Sequence, residues 1–378
     1  MKTIRYHYIQ ALFALAAFTS MVGCGASASS ESEPVASVSS AVITLTSDRF
    51  ESFEGSHDKE EAATARLGKI ARAAVMKTQA HGAMATRDAH VKAHGLVKAS
   101  VTMEADLPPF ARGVGAFIPG KVYEALIRFS NGSGHAASDV QPDVRGLALK
   151  LINAFGPGKS QDFLTVSAAS FPFGTLESYG DIFGASNPVA AAVAFATNPG
   201  DAVRFAPIAL ANAAPTSLAD LTYNSLHPYL MGEEHAVKYA IKPCEPAPLG
   251  ATFSNVKNRL RADLVEKLAS GDICFHLFIQ PFADQDTTPI EDATVIWTTE
   301  FIKAATILIP RQEFDTPGHD AYSEQLKFNP WMGSPQNAPL SKWGRVRKPI
   351  YHTTSEARHG ANGVAQFEPT SLEIPATH

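Results

Sequence analysis

What this chain lacks narrows it first. Three cysteines in 378 residues are too few to build a disulfide-dense scaffold. The apolar run from Ala11 to Gly23 falls short of the ~20 residues that a membrane-spanning helix needs. There is no basic run, no zinc-finger spacing and no interleaving of aromatic with basic side chains, so nucleic acid is not an expected partner. Lys and Arg number 32 against 37 Asp and Glu, a mild net charge of −5. No internal repeat and no second domain boundary stands out.

What is present begins with a processing signal, to be set aside before any reasoning about the fold. Lys2 and Arg5 precede the apolar run, which closes on Met21-Val22-Gly23-Cys24. This start resembles a bacterial lipoprotein signal, with Cys24 as the lipidated N-terminus; an ordinary secretory peptide is the alternative. Either reading implies an exported chain, in the periplasm or held at the outer membrane, whose only tie to a membrane would be a lipid on Cys24. Residues 25–56 are rich in Ser, Ala, Glu and Pro and bury too little to offset their ordering entropy, the composition of a tether. Residues 57–378 suffice for one large core. Cys244 and Cys274 could pair in an oxidising compartment or stay as free thiols, and their spacing decides nothing.

Apolar residues at Ala63, Leu67, Ile70, Ala71, Ala74 and Val75 have helical spacing and predict an amphipathic helix from His57 to about Ala80. The period then drops to two: Val97, Ala99, Val101 and Met103 alternate with Lys98, Ser100 and Thr102. Further strands are expected at 121–130, 146–152, 163–166, 237–241, 274–282, 293–299 and 304–310. Short runs with turn-rich ends suit an antiparallel barrel or sandwich. Alanine-rich 186–214 reads as a helical insertion, and 255–269 as a helix with Leu260, Leu264 and Leu268 on one face. From Arg311 to Trp343, Pro, Gly and Asn punctuation predicts a long irregular arm.

Two distant elements carry chemistry. Arg87-Asp88-Ala89-His90 stands near the front, and Arg347-Lys348-Pro349-Ile350-Tyr351 near the end, with Arg358 seven residues after the tyrosine. A phenol titrating near pH ~10 is a poor metal ligand, but a nearby cation favours the phenolate, which can bind ferric haem iron. On a helix, Tyr351 and Arg358 share a face. A distant histidine could then act as acid and base across the haem. His90 and His94, at i and i+4, could instead bind zinc on a helix, but no glutamate lies between them and no third ligand is evident.

Four blocks in this order resemble the catalase superfamily, above all its short catalase-related haem proteins. They are Arg87 to His90; Ile127-Arg128-Phe129-Ser130 with Asp143-Val144-Arg145-Gly146-Leu147-Ala148-Leu149-Lys150; Gln161-Asp162-Phe163-Leu164; and Arg347 to Arg358. Phe328-Asn329-Pro330-Trp331 adds a phrase similar to the short members. The resemblance implies an α+β fold: an antiparallel β-barrel with helical insertions and a C-terminal helix bearing the proximal haem ligand. It implies haem b as cofactor, a peroxide as substrate and an organic electron donor as a partner; an oligomer is compatible with it.

Carried over, His90 would be the distal acid and base, with Ser130 fixing its tautomer. Arg87, Arg128 and Arg358 would face the haem propionates, with Phe129 in the same haem-binding block. Tyr351 would be the iron ligand, and Arg347 would keep it ionised. One position departs from the pattern. Catalases place an asparagine shortly after the Asp162 position; here Ser167 stands there, followed by Ala168 and Ala169. Ser167 is thus the candidate peroxide guide, and a bulkier hydroperoxide gains room. Hydroperoxide rearrangement, as in allene oxide synthases, and haem binding without turnover are the rival expectations.

Overall fold

The period-two alternation closes into a barrel. A computed structural model describes residues 56–79, 84–185, 187–212, 215, 217–245 and 257–375. The leader at residues 1–24, with Cys24, and the tether up to residue 55 lie outside the described residues.

Helix α1 (His57–Gln79) opens the described chain, as its helical spacing predicts. It leads to β1 (Ala93–Met103), β2 (Val122–Asn131), β3 (Arg145–Leu151) and β4 (Gln161–Val166). Three helices follow where the alanine-rich insertion is expected: α2 (Leu176–Phe183), α3 (Pro188–Thr197) and α4 (Pro199–Ala211). Asn187 caps α3 by accepting from Ala190 N–H at 3.0 Å, with Pro188 at the first helical position, where a missing N–H does no harm. Strands β5 (Tyr223–Asn224), β6 (Tyr229–Met231) and β7 (His235–Pro243) come next, then α5 (Arg259–Ser270), β8 (Ile273–Pro281) and β9 (Ile302–Ile309). Two helices end the chain, α6 (Pro317–Gln325) and α7 (Ser341–Asn362).

All the strand pairs are antiparallel. The circuit β1-β2-β3-β4-β5-β7-β8-β9 returns to β1, and β6 is added outside on β7. Val97, Ala99, Val101 and Met103 point inward, as their alternation requires, and join Phe117, Phe163, Tyr239 and Phe275 in one core. On the outer face of β1 and β2, Leu96 and Leu126 are covered by Tyr322 of α6 and by Leu326 just beyond its end. Helix α7 is fixed to α1 and to the 284–300 loop by Arg345, which donates to Glu60 at 2.6 Å and to Glu291 at 2.8 Å.

Three expectations change. Residues 293–299 are turns, because Asp292 Oδ1 accepts from Thr294 N–H at 2.9 Å and starts a turn, while Ala293 and Trp297 are buried singly. The arm after Arg311 contains α6, hidden from periodicity by Pro317 and Gly318 but capped by Thr316. Helix α5 starts at Arg259, later than residue 255. Cys244 and Cys274 form a disulfide that joins the end of β7 to the start of β8.

Candidate functional site

The outer face of β1 and β2 leads directly to His90. Its backbone is left-handed (φ 56°), rare for a side chain with a Cβ, and is held by its N–H donating to Gly132 O at 3.1 Å. This seats the imidazole beside β2, with Nδ1 3.0 Å from Ser130 Oγ. Gly146 on β3 forms the floor: a Cβ there would lie 2.6 Å from His90 Nδ1 and 2.8 Å from Ser130 Oγ. Burial, ahead of the charges of Arg128, Arg347 and Arg87, pushes His90 down to about 4. The imidazole is therefore neutral at neutral pH and able to take a proton.

Helix α7 supplies the second element. Arg347 and Tyr351, one turn apart, place the guanidinium carbon 5.8 Å from the tyrosine ring centre. Arg347 also donates to His227 Nε2. Burial, ahead of the Arg347 charge, holds that histidine well below its ordinary range, so it accepts as a neutral ring. Burial pushes the Tyr351 phenol up; Arg347 pulls it back and Asp88 pushes it further up. The net direction is upward. Arg347 is thus the neighbour that favours the phenolate, against burial and Asp88.

The third element is a cluster of arginines. Arg87 donates to Glu324 Oε2 at 2.9 Å and to the carbonyls of Ser323 and Leu326, each at 2.8 Å. Arg128 donates to Glu324 Oε1 at 3.2 Å and to Ser323 Oγ at 3.2 Å. Arg358, two turns beyond Tyr351, donates to the Glu324 carbonyl and to Leu326 O at 3.0 Å. Burial, ahead of Arg87, pushes both Arg128 and Arg358 down to about 9, so both stay cationic at neutral pH. Burial would raise the Glu324 carboxyl, but the charges of Arg87, Arg128 and Arg358 hold it below its ordinary value. The cluster is a carboxylate-binding arrangement with more cations than one carboxylate neutralises.

One expected residue is turned away from this place, and a second has its polar group already bound. Phe129 lies between Arg128 and Ser130 in β2, so alternation turns it inward, against Tyr223 and Phe275 in the barrel core. It is a core residue, not part of the site. Ser167 follows β4 with its hydroxyl committed: it donates to Asn212 Oδ1 at 2.5 Å and accepts from Arg145 N–H at 2.7 Å. Nor does the zinc pair form, because His94 lies on β1 with its Nε2 2.6 Å from Asn131 Oδ1. A cleft of about 540 Å³ lined by Lys92, Ala137, Lys257 and Arg261 contains none of these site residues; a cavity of about 30 Å³ touches Arg347, His227 and Trp343.

No family model matches the chain. A catalase-related peroxidase of Mycolicibacterium paratuberculosis (strain ATCC BAA-968 / K-10) is 26% identical over 267 residues, covering 67% of this chain and 83% of that protein. Among solved structures, a fungal catalase superposes with TM-score 0.61 at 16% identity, over 76% of this chain and 62% of its own. A bacterial catalase gives 0.61 at 17%, over 80% and 65%. Catalase A from Saccharomyces cerevisiae gives 0.60 at 15%, over 76% and 65%. The chain has the catalase fold. The superfamily resemblance read from four sequence blocks stands with it, and the chain spans 62–65% of the length of these three catalases.

Within this catalase fold, sequence reasoning missed four residues. Gly146 was visible in the Arg145-Gly146 block, but its reason, room for His90, is a contact between strands. His227 had no signal beyond being a histidine. Glu324 sat in the arm read as irregular. Asn212, an amide near Ser167, comes from the end of α4, where no count along β4 could find it.

Proposed function

We propose that this chain is a haem-dependent oxidoreductase that breaks down peroxides, with a preference for organic hydroperoxides. The similarity to a catalase-related peroxidase supports peroxide chemistry in general. The observation that carries the haem assignment is the gathering of Arg87, Arg128 and Arg358 around Glu324, the first two on its carboxylate and Arg358 on its backbone carbonyl, with Arg358 on the same face of α7 as Tyr351. Three guanidinium groups against the Glu324 carboxylate and Asp88 leave a net positive charge, which suits a group that carries carboxylates, such as the propionates of haem b. The donor set fits as well: a phenol beside an arginine for the metal, and a neutral imidazole as base.

Haem b, when bound, supplies the redox centre at which the O–O bond is cleaved. Tyr351 would ligate the iron, and Arg347 would stabilise its phenolate once the metal offsets the cost of burial. His90 takes the proton of the peroxide at Nε2 and returns it to the departing oxygen, while Ser130 holds Nδ1. Ser167 has no free hydroxyl proton to guide small hydrogen peroxide, because Asn212 accepts it. A substrate held by apolar contacts is favoured, and an organic electron donor would complete the cycle. Export follows from the leader, with Cys24 as the lipid attachment point; metabolic labelling with palmitate, lost in Cys24→Ser, tests that part.

An absorption spectrum of the purified protein tests the core of the proposal. A Soret band with high-spin ferric features is the expected result. Its absence after supplementation with haem would overturn the haem assignment. With haem retained, conversion of a fatty-acid hydroperoxide to a rearranged product rather than an alcohol would move the activity to the allene-oxide class. Inertness toward every peroxide would leave a haem carrier.

A further inference from the structure

Among the described residues, eleven large hydrophobic side chains are exposed, and five of them fall between Phe183 and Leu210. They are ordered. On α3, Val189 (71% exposed), Val193 (56%) and Ala196 lie at i, i+4 and i+7; on α4, Val203 (70%), Pro207 and Leu210 (74%) repeat that spacing. Each helix therefore turns one apolar stripe outward. The opposite faces are anchored: Phe195 packs 5.5 Å from Phe205, which in turn faces Phe173.

Charge is absent where a protein partner would read it. From Ile182 to Pro215 only Asp201 and Arg204 are charged, and they pair with each other on the inner side. Asp201 Oδ1 accepts from Gly174 N–H at 3.1 Å and Arg204 Nε donates to Pro172 O at 2.9 Å. With no charged side chain outside that pair and only Asn187, Thr197 and Asn198 as polar groups along α3, the face gives a protein little register, whereas a fluid hydrocarbon boundary needs none.

We propose that the α3–α4 face rests on a lipid bilayer surface. The occupant is argued from the chain itself. The expected lipidated residue, Cys24, is separated from α1 by residues 25–56, a stretch of 32 residues. Covalent geometry limits 32 residues to a reach of about 110 Å, so a lipid on Cys24 would keep the body near a membrane. Helix α1 lies against α2, with Arg66 paired to Asp181 at 2.7 Å. The anchor thus joins the body on the helical side that carries the stripes, and the stripes supply the orientation. Lacking basic residues, this face binds zwitterionic and anionic lipid alike. The proposal is independent of haem and of peroxide.

Flotation with phosphatidylethanolamine/phosphatidylcholine vesicles tests it, using the chain from Gly25, which keeps every described element and has neither leader nor lipid. The expected result is co-flotation, insensitive to salt. In the variant carrying Val189→Glu, Val193→Glu, Val203→Glu and Leu210→Glu the bound fraction should fall at least tenfold with the melting temperature unchanged. Should that variant melt early, the four serine replacements are read in its place. Four results would each overturn the proposal: vesicles that float without the chain, equal flotation of the variant, binding confined to phosphatidylglycerol and lost in salt, or a dimer that the variant splits.

Discussion

Gly146 lies under His90 with no room for a methyl group: a Cβ on it would approach Nδ1 to 2.6 Å. Gly146→Ala should therefore displace the imidazole without touching a metal ligand. We expect a fall in peroxide turnover close to that of His90→Ala, roughly 10²–10⁴-fold for a lost acid and base, with the haem spectrum preserved. An overpacking cost of about 1–3 kcal/mol should appear in urea unfolding. Full turnover by this variant would mean that His90 is not the proton carrier.

Tyr351→Phe keeps the ring and removes the anionic ligand. Haem should be lost or bound weakly, with a shifted Soret band. An unchanged spectrum and activity would place the iron ligand elsewhere.

Glu324→Gln leaves Arg87 and Arg128 without their shared carboxylate and Arg358 without a nearby negative charge. Breaking a fully buried pair costs about 3–5 kcal/mol, and part exposure of Glu324 reduces this to roughly 1–3. The loss should be read by chemical unfolding of the haem-free protein. A variant as stable as the parent would show that the backbone carbonyls alone suffice for the arginines.

Ser167→Ala should barely change hydrogen peroxide turnover, since the hydroxyl is already bound to Asn212 and to the Arg145 N–H. The parent should show a higher kcat/KM for organic hydroperoxides, each extra buried methylene adding about 0.8 kcal/mol. Ser167→Asn should move the preference toward hydrogen peroxide. Oxygen evolution at the rate of a large catalase by the parent would contradict this account.

The pH dependence follows from His90, which burial and three arginines push down to about 4. Unfolded, it titrates near ~6.5. Between these values the unfolded chain binds a proton that the folded one does not, so this residue makes stability rise with pH from 4 to 6.5 and fall on acidification. Asp88, raised to about 6 mainly by burial, acts in the opposite sense between its unfolded value and 6. His90→Gln should flatten the slope of unfolding free energy by up to one proton, about 1.4 kcal/mol per pH unit. An unchanged slope would place His90 in water.

The barrel was legible because β1 buries Val97, Ala99, Val101 and Met103 on one side, and period two survives almost any register. His90, Ser130, Arg87, Arg128, Arg347, Tyr351 and Arg358 were legible because their motifs are local. Glu324 and Asn212 were not, since each acts at the end of a helix whose position only tertiary contact defines. Phe129 was misplaced by reading a block as a unit. Its neighbours face the site, and strand geometry sends it the other way.

The barrel closes through its shortest strand. Asn224 meets β4 at Val166 alone, and Tyr223 and Asn224 meet β7 at Ile241 and Ala240. Every other junction of the circuit has four or more paired residues. Two side chains reinforce the seam: Tyr223 donates to Leu218 O at 2.7 Å and Asn224 to Ala168 O at 3.0 Å. Amide exchange should accordingly be fastest along this junction, which can part while the β1–β2 ladder stays closed. When it parts, the free margins of β4 and β7 become the places where two such barrels could exchange strands.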